Sequence, residues 1–367
     1  MKNCAKSAVT HIFSEETTMK KQIAFSLVLV FVLSLLAGCA GTAVVYYGDC
    51  TCPTGSTPTD PTNPPAEGAI KTGLAIITSV GKSVSATNAN YDVTLVAVTV
   101  DNNGVIESCI IDSLGTDITF DATGTVTSDL NKEILTKNEL GDSYGMGAIS
   151  GIKKEWYQQA AALADYAEGK TVAQLKNGAI TNGYATEGTD LAASATIYLG
   201  GYVSAIESAV NNAKHLGAQA GDELKLAAIP SIASSTSATA EKAGTAQLDV
   251  DVTALTVKDG VITSCYIDSV QAKVTFDATG TITSDISAPV KTKNELGESY
   301  GMVAWGGAKY EWNQQAANFA AYVTGKTAAQ VAGIAVNEST KPTDADLSAG
   351  VTIAIGGFQA LIAKAMQ

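Results

Sequence analysis

Hydrophobic and β-branched residues are concentrated in two stretches of the chain, Asp92–Val100 and Asp249–Val257. Both stretches are rich in Val, Thr and Leu, which favour strands. The pairs Asn103-Gly104 and Asp259-Gly260 follow them, and these residues tolerate the positive φ angles of a tight turn. The pattern therefore predicts an antiparallel hairpin in each place.

Each predicted hairpin continues into a returning strand and a second turn. The returning strands carry Cys109 and Cys265, which we interpret as buried core thiols. The second turns contain Asp121 and Asp277, whose side chains favour turn formation. We therefore expect these four residues to be structural.

Helical patterns follow the strands. The segment Ile149–Glu168 predicts a helix ended by Gly169, with four residues on or near one face: Trp156, Ala160, Leu163 and Tyr166. Thr171 and Thr327 are placed to cap a short second helix, and Tyr202–Ala213 predicts a closing helix. Strands followed by helices indicate an α+β fold with an antiparallel sheet.

The chain repeats itself from about residue 70. Phe120–Thr125 returns as Phe276–Thr281, and Thr136–Gly141 returns as Thr292–Gly297, with an offset of 156 residues. Four further blocks keep this offset: Ser143–Met146, Glu155-Trp156, Gln158-Gln159 and Gly169–Thr171. A unit of this size is normal for a domain and too long for a solenoid repeat. We therefore predict two tandem homologous domains, 69–220 and 221–367.

The first 38 residues have the pattern of an export signal, with Lys20-Lys21 before the apolar run Ile23–Leu36 and a lipobox ending at Cys39. The alternative is a transmembrane anchor, but the apolar run is short for spanning. We predict a bacterial lipoprotein held at the extracellular face of the cell membrane by a lipid on Cys39. Residues 39–68, rich in Pro and Thr, then form a tether.

Composition removes several classes of function. The net charge is −13, which argues against nucleic acid as a partner. The 23 basic residues are all Lys, so a bound phosphate must be held without Arg. His11 and His215 are the only histidines, which argues against a duplicated His-based hydrolase or zinc site. Without a Cys-x-x-Cys-His motif for haem attachment, redox chemistry would need an organic cofactor.

One short motif occurs in both repeats at the same offset. The stretches Asp190–Ile197 and Asp346–Ile353 both read Asp-x-x-small-small-small-Thr. They look like a degenerate form of Asp-x-x-(Ser/Thr)-Gly-Ala-(Ser/Thr), the motif in which a flavin transferase links FMN through its phosphate to the last hydroxyl. By this resemblance, Thr196 and Thr352 are acceptors, and Asp190 and Asp346 are the motif acids that the transferase would read. The alternatives are ordinary strand threonines and, for the two aspartates, a turn or helix cap.

The body of the chain resembles the FMN-binding-type domains of flavin-carrying lipoproteins used in Gram-positive extracellular electron transfer, including pheromone-precursor lipoproteins. The resemblance rests on Thr-Lys-Asn-Glu-Leu-Gly-(Asp/Glu)-Ser-Tyr-Gly-Met, Glu-Trp-x-Gln-Gln, Gly-Lys-Thr and the acceptor motif. It implies two covalent FMN groups, a flavin transferase, a membrane quinol-linked electron donor and extracellular acceptors. The protein would be an electron carrier rather than an enzyme. The octapeptide Phe31–Gly38 also resembles released sex-pheromone peptides, with an ordinary signal sequence as the alternative.

A flavin ring needs apolar walls and a few placed polar groups. The resemblance points to corresponding residues in the two repeats: Lys137, Asn138, Glu139, Tyr144, Met146 and Trp156, then Lys293, Asn294, Glu295, Tyr300, Met302 and Trp312. The alternative is core packing for the aromatic residues and solvated loop positions for the lysines. The alternative function for the whole chain is a surface lipoprotein that binds a peptide or glycan and whose signal peptide yields a pheromone.

Overall fold

The computed structural model describes residues 68–367, which belong to one compact unit, Pro64–Gln367. The predicted export signal, the lipidation site Cys39 and the tether up to residue 67 lie outside the described residues. Within residues 68–367, no helix is both long and apolar enough to cross a membrane.

The first half of the described chain begins with an antiparallel sheet of three strands in the order β1-β2-β3. The strands are β1 (Lys71–Ser79), β2 (Asn88–Val100) and β3 (Ile106–Thr119). Three short elements and a longer helix follow: α1 (Lys137–Leu140), a 3₁₀ turn (Gly141–Tyr144), α2 (Met146–Ile149) and α3 (Trp156–Ala167). The half ends with α4 (Val172–Lys176), the hairpin β4 (Ile180–Thr181) and β5 (Tyr184–Ala185), α5 (Asp190–Ser194) and α6 (Gly200–Asn211).

The second half has a closely similar order of elements. Its sheet consists of β6 (Glu223–Ser231), β7 (Gly244–Lys258) and β8 (Val261–Phe276), again antiparallel and in chain order. The helices are α7 (Lys293–Leu296), a 3₁₀ turn (Gly297–Tyr300), α8 (Trp312–Val323), α9 (Ala328–Ala332), α10 (Ala345–Gly350) and α11 (Gly356–Ala365). The chain is therefore α+β, with antiparallel sheets packed with helices.

The two sheets pack face to face and share one hydrophobic core, which includes Tyr91 and Leu95 of the first half and Leu248 and Val250 of the second. At its edge the rings of Phe120 and Phe276 are stacked with their centroids 4.0 Å apart. Burying these apolar faces against each other removes both from water, which is the dominant favourable term in folding.

Hydrogen bonds cross between the halves in a reciprocal way. The N–H of Ile282 donates to Ser85 Oγ over 3.0 Å, and the N–H of Val126 donates to Ser237 Oγ over 2.9 Å. Tyr91 also donates from its hydroxyl to the carbonyl of Ala246 at 2.7 Å. Each half therefore satisfies polar groups of the other as well as covering its apolar face.

The opposite face of each sheet is covered by the helices of its own half. Trp156 and Leu163 of α3 pack on the first sheet, and Trp312 and Phe319 of α8 pack on the second. Residues 95–98 of β2 are buried without interruption, because this strand has a packed layer on each side.

Several predictions from the sequence are confirmed. The hairpin strands form, Asp259 and Gly260 adopt positive φ angles, and Thr171 and Thr327 cap α4 and α9. Asp121 and Asp277 accept backbone hydrogen bonds within their turns. Cys109 and Cys265 are free, buried thiols, and burial raises the pKa of both, that of Cys265 to about 12.

The predicted start of the long helix is wrong, since α3 begins at Trp156 rather than at Ile149. The one-turn helix α2 ends at Ile149, and Lys153 then takes a φ of +56°, which interrupts any continuous helix. The start of α3 is fixed by a capping box, in which the Glu155 and Gln158 side chains each bond to the other residue's backbone N–H. β1 and β6, and the packing of the two sheets, are not anticipated by the sequence.

Candidate functional site

Thr196 is exposed and follows the end of α5, where the chain leaves the helix. Its N–H and its hydroxyl both donate to Oε1 of Gln159, over 2.8 and 3.3 Å. The N–H of Ile197 donates to the same oxygen at 3.2 Å. One side-chain oxygen thus holds the backbone and the hydroxyl of the predicted acceptor.

Thr352 has the same arrangement in the second half. It is exposed, and its N–H and hydroxyl donate to Oε1 of Gln315 over 2.7 and 3.1 Å. The N–H of Ile353 completes the set at 3.1 Å. The structure therefore gives the two predicted acceptors matching surroundings.

Gln159 and Gln315 have no exposed surface. The amide nitrogen of Gln159 donates to the carbonyl of Lys154 at 3.0 Å, and that of Gln315 donates to the carbonyl of Tyr310 at 2.8 Å. These bonds fix the orientation of each amide, because only its nitrogen can donate and only its oxygen can accept the threonine protons. Neither glutamine is among the site residues predicted from the sequence. The sequence signal for them is a glutamine on the apolar face of the long helix, which occurs in both repeats at the offset of 156 residues.

A buried carboxylate holds the loop that leads into each long helix. Glu155 accepts from the N–H groups of Met146 and Gly147 at 2.8 and 2.7 Å. Glu311 accepts from those of Met302 and Val303 at 2.9 and 3.0 Å. The amide nitrogen of Gln159 also lies 3.5 Å from the sulfur of Met146, so the methionine loop lies close to the glutamine that holds Thr196.

The predicted lysine and aromatic residues come together in both halves. Lys137 Nζ lies 5.1 Å from the ring centre of Tyr144 and 4.9 Å from that of Trp156. Lys293 Nζ lies 5.4 Å from Tyr300 and 4.8 Å from Trp312. These are cation–π distances. Burial lowers the pKa of Lys293, while Asp251 and Asp249 act in the opposite direction.

Trp156 and Trp312 are nevertheless core residues, exposed by only 2% and 6%. Trp156 donates from Nε1 to the hydroxyl of Tyr202 at 3.1 Å, whereas Trp312 packs against the ring of Phe358. The core-packing interpretation of the tryptophans is therefore confirmed, and each also offers its ring to the neighbouring lysine.

The asparagine and glutamate after each lysine have structural contacts. Asn138 and Asn294 donate from Nδ2 to the carbonyls of Ile111 and Ile267, both at 3.0 Å. Glu139 and Glu295 complete capping boxes at the starts of α1 and α7. Glu139 also forms an ion pair with Lys364. These bonds account for the four residues without a ligand, and their contact with a flavin edge stays a prediction.

Asp190 and Asp346 lie exposed in the first turns of α5 and α10. Neither side chain caps its helix, because Thr189 caps α5 and Asp344 caps α10. The alternative was a turn or a helix cap; the cap is therefore wrong, whereas both aspartates do lie in a helical turn. Their carboxylates are accessible to a partner protein.

Asp112 and Asp268, which the sequence analysis did not single out, are buried beside α1 and α7. Each accepts backbone N–H bonds, including one from Asn138 at 3.1 Å or from Asn294 at 3.0 Å. Burial raises the pKa of both carboxyls, that of Asp268 to about 6, although hydrogen bonds from Thr292, Asn294 and Ser269 act against the shift.

A cleft of about 310 Å³ lies where the two halves meet. Asp112, Asn138 and Glu139 line it on one side and Ala228 and Lys364 on the other. The lysine–aromatic cluster and Thr196 are not part of its wall. Among residues 68–367, no group of three or more His, Cys, Asp or Glu side chains is placed to hold a metal ion.

No family model, curated protein or solved structure matches this chain.

Proposed function

We propose that the protein is a membrane-anchored extracytoplasmic electron carrier with two FMN groups, each linked through its phosphate to Thr196 or Thr352. The observation that carries this proposal is the matching pair of exposed threonines, each with its hydroxyl bonded to a buried glutamine. We further propose that the two halves are tandem homologous domains of the FMN-binding type.

The residues around each threonine fit a covalently attached group. Thr196 is exposed, and the three residues before it are Ala193, Ser194 and Ala195, whose small side chains offer little steric cover. In the second half the three residues before Thr352 are also small: Ala349, Gly350 and Val351. A phosphoester at this position needs no buried cation, because the phosphate stays at the surface where water screens its charge.

A covalent link suits a protein that works outside the cell. A cofactor held only by weak contacts would be lost to the medium, whereas a tethered one has a millimolar effective concentration at its site. FMN would supply reversible electron transfer. The chain's own contribution is to present the two hydroxyls and to place Lys137 and Lys293, whose positive charges would favour a reduced, anionic ring nearby.

The rest of the proposed pathway follows from the resemblance and the predicted anchor. A flavin transferase would modify the threonines, with Asp190 and Asp346 as accessible recognition carboxylates. A lipid on Cys39 would hold the carrier at the outer face of the membrane. A membrane quinol-linked donor would reduce it, and extracellular acceptors would oxidise it.

The test is the intact mass of residues 40–367 produced with and without a flavin transferase, for the wild type and for Thr196→Ala and Thr352→Ala. We expect the wild type to gain two FMN groups less two waters, and each variant to gain one. Thr181→Ala, at another exposed threonine, is the matched control and should keep both groups.

A wild type that gains only one FMN group would show that one of the two motifs is not an acceptor. No gain with a transferase that modifies a control substrate would contradict the proposal. The surface lipoprotein that binds a peptide or glycan would then be the better interpretation.

A further inference from the structure

We propose that Gln159 and Gln315 are positioning residues for the two acceptor threonines, and that modification of each threonine depends on the buried glutamine of its own half. This inference rests on the proposed function and concerns how that site is prepared for reaction. It is carried by six hydrogen bonds, three to each glutamine oxygen, between 2.7 and 3.3 Å long.

The contacts fix the acceptor in two ways. The bonds from the N–H groups of Thr196 and Ile197 hold the backbone where it leaves α5. The bond from the hydroxyl turns its proton toward the protein interior, which leaves oxygen lone pairs directed away from Gln159. A hydroxyl held in this way is presented to a reagent outside the protein with less orientational freedom to lose.

The anchor itself is rigid. Gln159 has no exposed surface and lies on α3 one turn after Trp156, which packs in the core. Its amide nitrogen is held by the carbonyl of Lys154. Because both the oxygen and the nitrogen of its amide are hydrogen-bonded, the Gln159 side chain can keep a reacting group within a narrow range of positions.

The modification balances without a further reagent if the donor is a flavin dinucleotide, which contains an activated pyrophosphate. Thr196 Oγ1 forms a bond to the phosphorus on the FMN side, and the P–O bond of the pyrophosphate breaks. The departing nucleoside monophosphate takes the electron pair, and the threonine proton leaves to the transferase or to solvent. No electrons are exchanged. Gln159 positions the hydroxyl but is not the base, since an amide oxygen is too weakly basic for that role.

The experiment uses the full chain with Gln159→Leu, Gln159→Glu and Gln315→Leu, each exposed to a flavin transferase and a flavin dinucleotide. Site-resolved mass spectrometry then gives the modification rate at each threonine separately. We expect Gln159→Leu to slow the reaction at Thr196 by about 10- to 100-fold and to leave Thr352 unchanged. Gln315→Leu should show the reverse, so each chain contains its own control site.

Gln159→Glu tests positioning against a general loss of structure. Glutamate keeps an oxygen that accepts the three bonds, but only its protonated form can donate to the carbonyl of Lys154. We therefore expect it to restore modification at Thr196, and to do so better as the pH is lowered. Leu163→Ala, a buried change on the same helix, should lower stability without this site-selective loss.

Hydrogen exchange provides a readout that needs no flavin. The amides of Thr196 and Ile197 should exchange faster in Gln159→Leu than in the wild type, while those of Thr352 and Ile353 should not change.

Two results separate failure of this inference from failure of the proposed function. A wild type that gains both groups, together with a Gln159→Leu variant modified at the wild-type rate, would overturn the positioning role alone. A wild type that gains no group would remove the acceptor role and the positioning role together.

Discussion

The two halves of the molecule keep the same bonds around the proposed acceptor threonine but differ in the residues next to them. Gln159 and Gln315 make the same three contacts to threonine and isoleucine. The residue that packs against the core tryptophan differs, because it is Tyr202 in the first half and Phe358 in the second. The polar contacts to the threonine are therefore the same in both halves, whereas the aromatic residue beside the core tryptophan differs.

The exposed loop before each long helix shows the same division. Its backbone is held by Glu155 or Glu311 in the same way. Yet the loop presents Ile149 in the first half and Trp305 in the second, both 85% exposed. The sites therefore share the means of presenting a hydroxyl, while a ligand at each would meet a different surface.

The largest expected effect is on stability, and it tests whether the two halves unfold independently. Phe276→Ala should lower the free energy of unfolding by about 3–5 kcal/mol, because a buried aromatic ring is removed and a cavity is left in the core shared by both sheets. Chemical denaturation measures the loss. Hydrogen exchange in β1–β2 and in β6–β7 should show that both halves lose protection together.

Trp305→Ala is the control for this experiment, since it removes a large but exposed ring and should change stability by less than about 0.5 kcal/mol. Lost protection confined to the second half in Phe276→Ala would show that the halves unfold separately.

The second prediction concerns pH. Burial raises the pKa of Asp268 to about 6 in the folded protein, whereas an aspartate in the unfolded chain has a pKa of about 4. Between these values the folded state binds more protons, so stability falls as pH rises, by up to about 3 kcal/mol for this group. Asp268→Asn cannot ionise and should flatten the dependence between about pH 4 and pH 6.

Denaturation curves across that range test the expectation, with Asp190→Asn as an exposed control. Asp112 has a pKa shift of the same direction, so some dependence should remain in Asp268→Asn. A pH profile identical to that of the wild type would contradict the assignment.

The smallest expected effect concerns the hydrogen bond that Trp156 makes and that Trp312 lacks among residues 68–367. Tyr202→Phe makes the first half resemble the second and removes the hydroxyl that accepts from Trp156 Nε1. We expect a loss of about 1 kcal/mol, because a buried donor is left without this partner. Thermal unfolding and the change in the tryptophan fluorescence spectrum report it. Phe358→Tyr is the reverse change, and equal losses in both variants would argue against a specific hydrogen bond.

The sequence predicted those parts of the fold that depend on local signals. The turn at Asp259-Gly260 and the caps at Thr171 and Thr327 need only a few neighbouring residues, and all are found in the structure. The resemblance assigned Lys137 and Trp156 to the same flavin site, and Lys137 Nζ lies 4.9 Å from the centre of the Trp156 ring, but their contact with a flavin stays a prediction.

The missed features depend on partners that are distant in the sequence. Gln159 bonds to a threonine 37 residues later, so its role is visible only once α3 and the end of α5 are placed together. The inner face of the first sheet is covered by strands more than a hundred residues away, such as the Tyr91 contact to Ala246. An apolar run such as residues 95–98 shows that a strand is buried but not which layers cover it.

The reciprocal sheet interface has a consequence for how the protein is made. Ribosomes deliver the first half before the second, and the covering strands of the shared core end at Phe276. Until that residue has been synthesised, Leu95 and Phe120 have no complete second sheet to pack on. Such incomplete apolar surfaces promote aggregation of nascent chains. Production of this protein should therefore depend on chaperones that hold the first half during that interval, and chains truncated before β8 should accumulate as insoluble material.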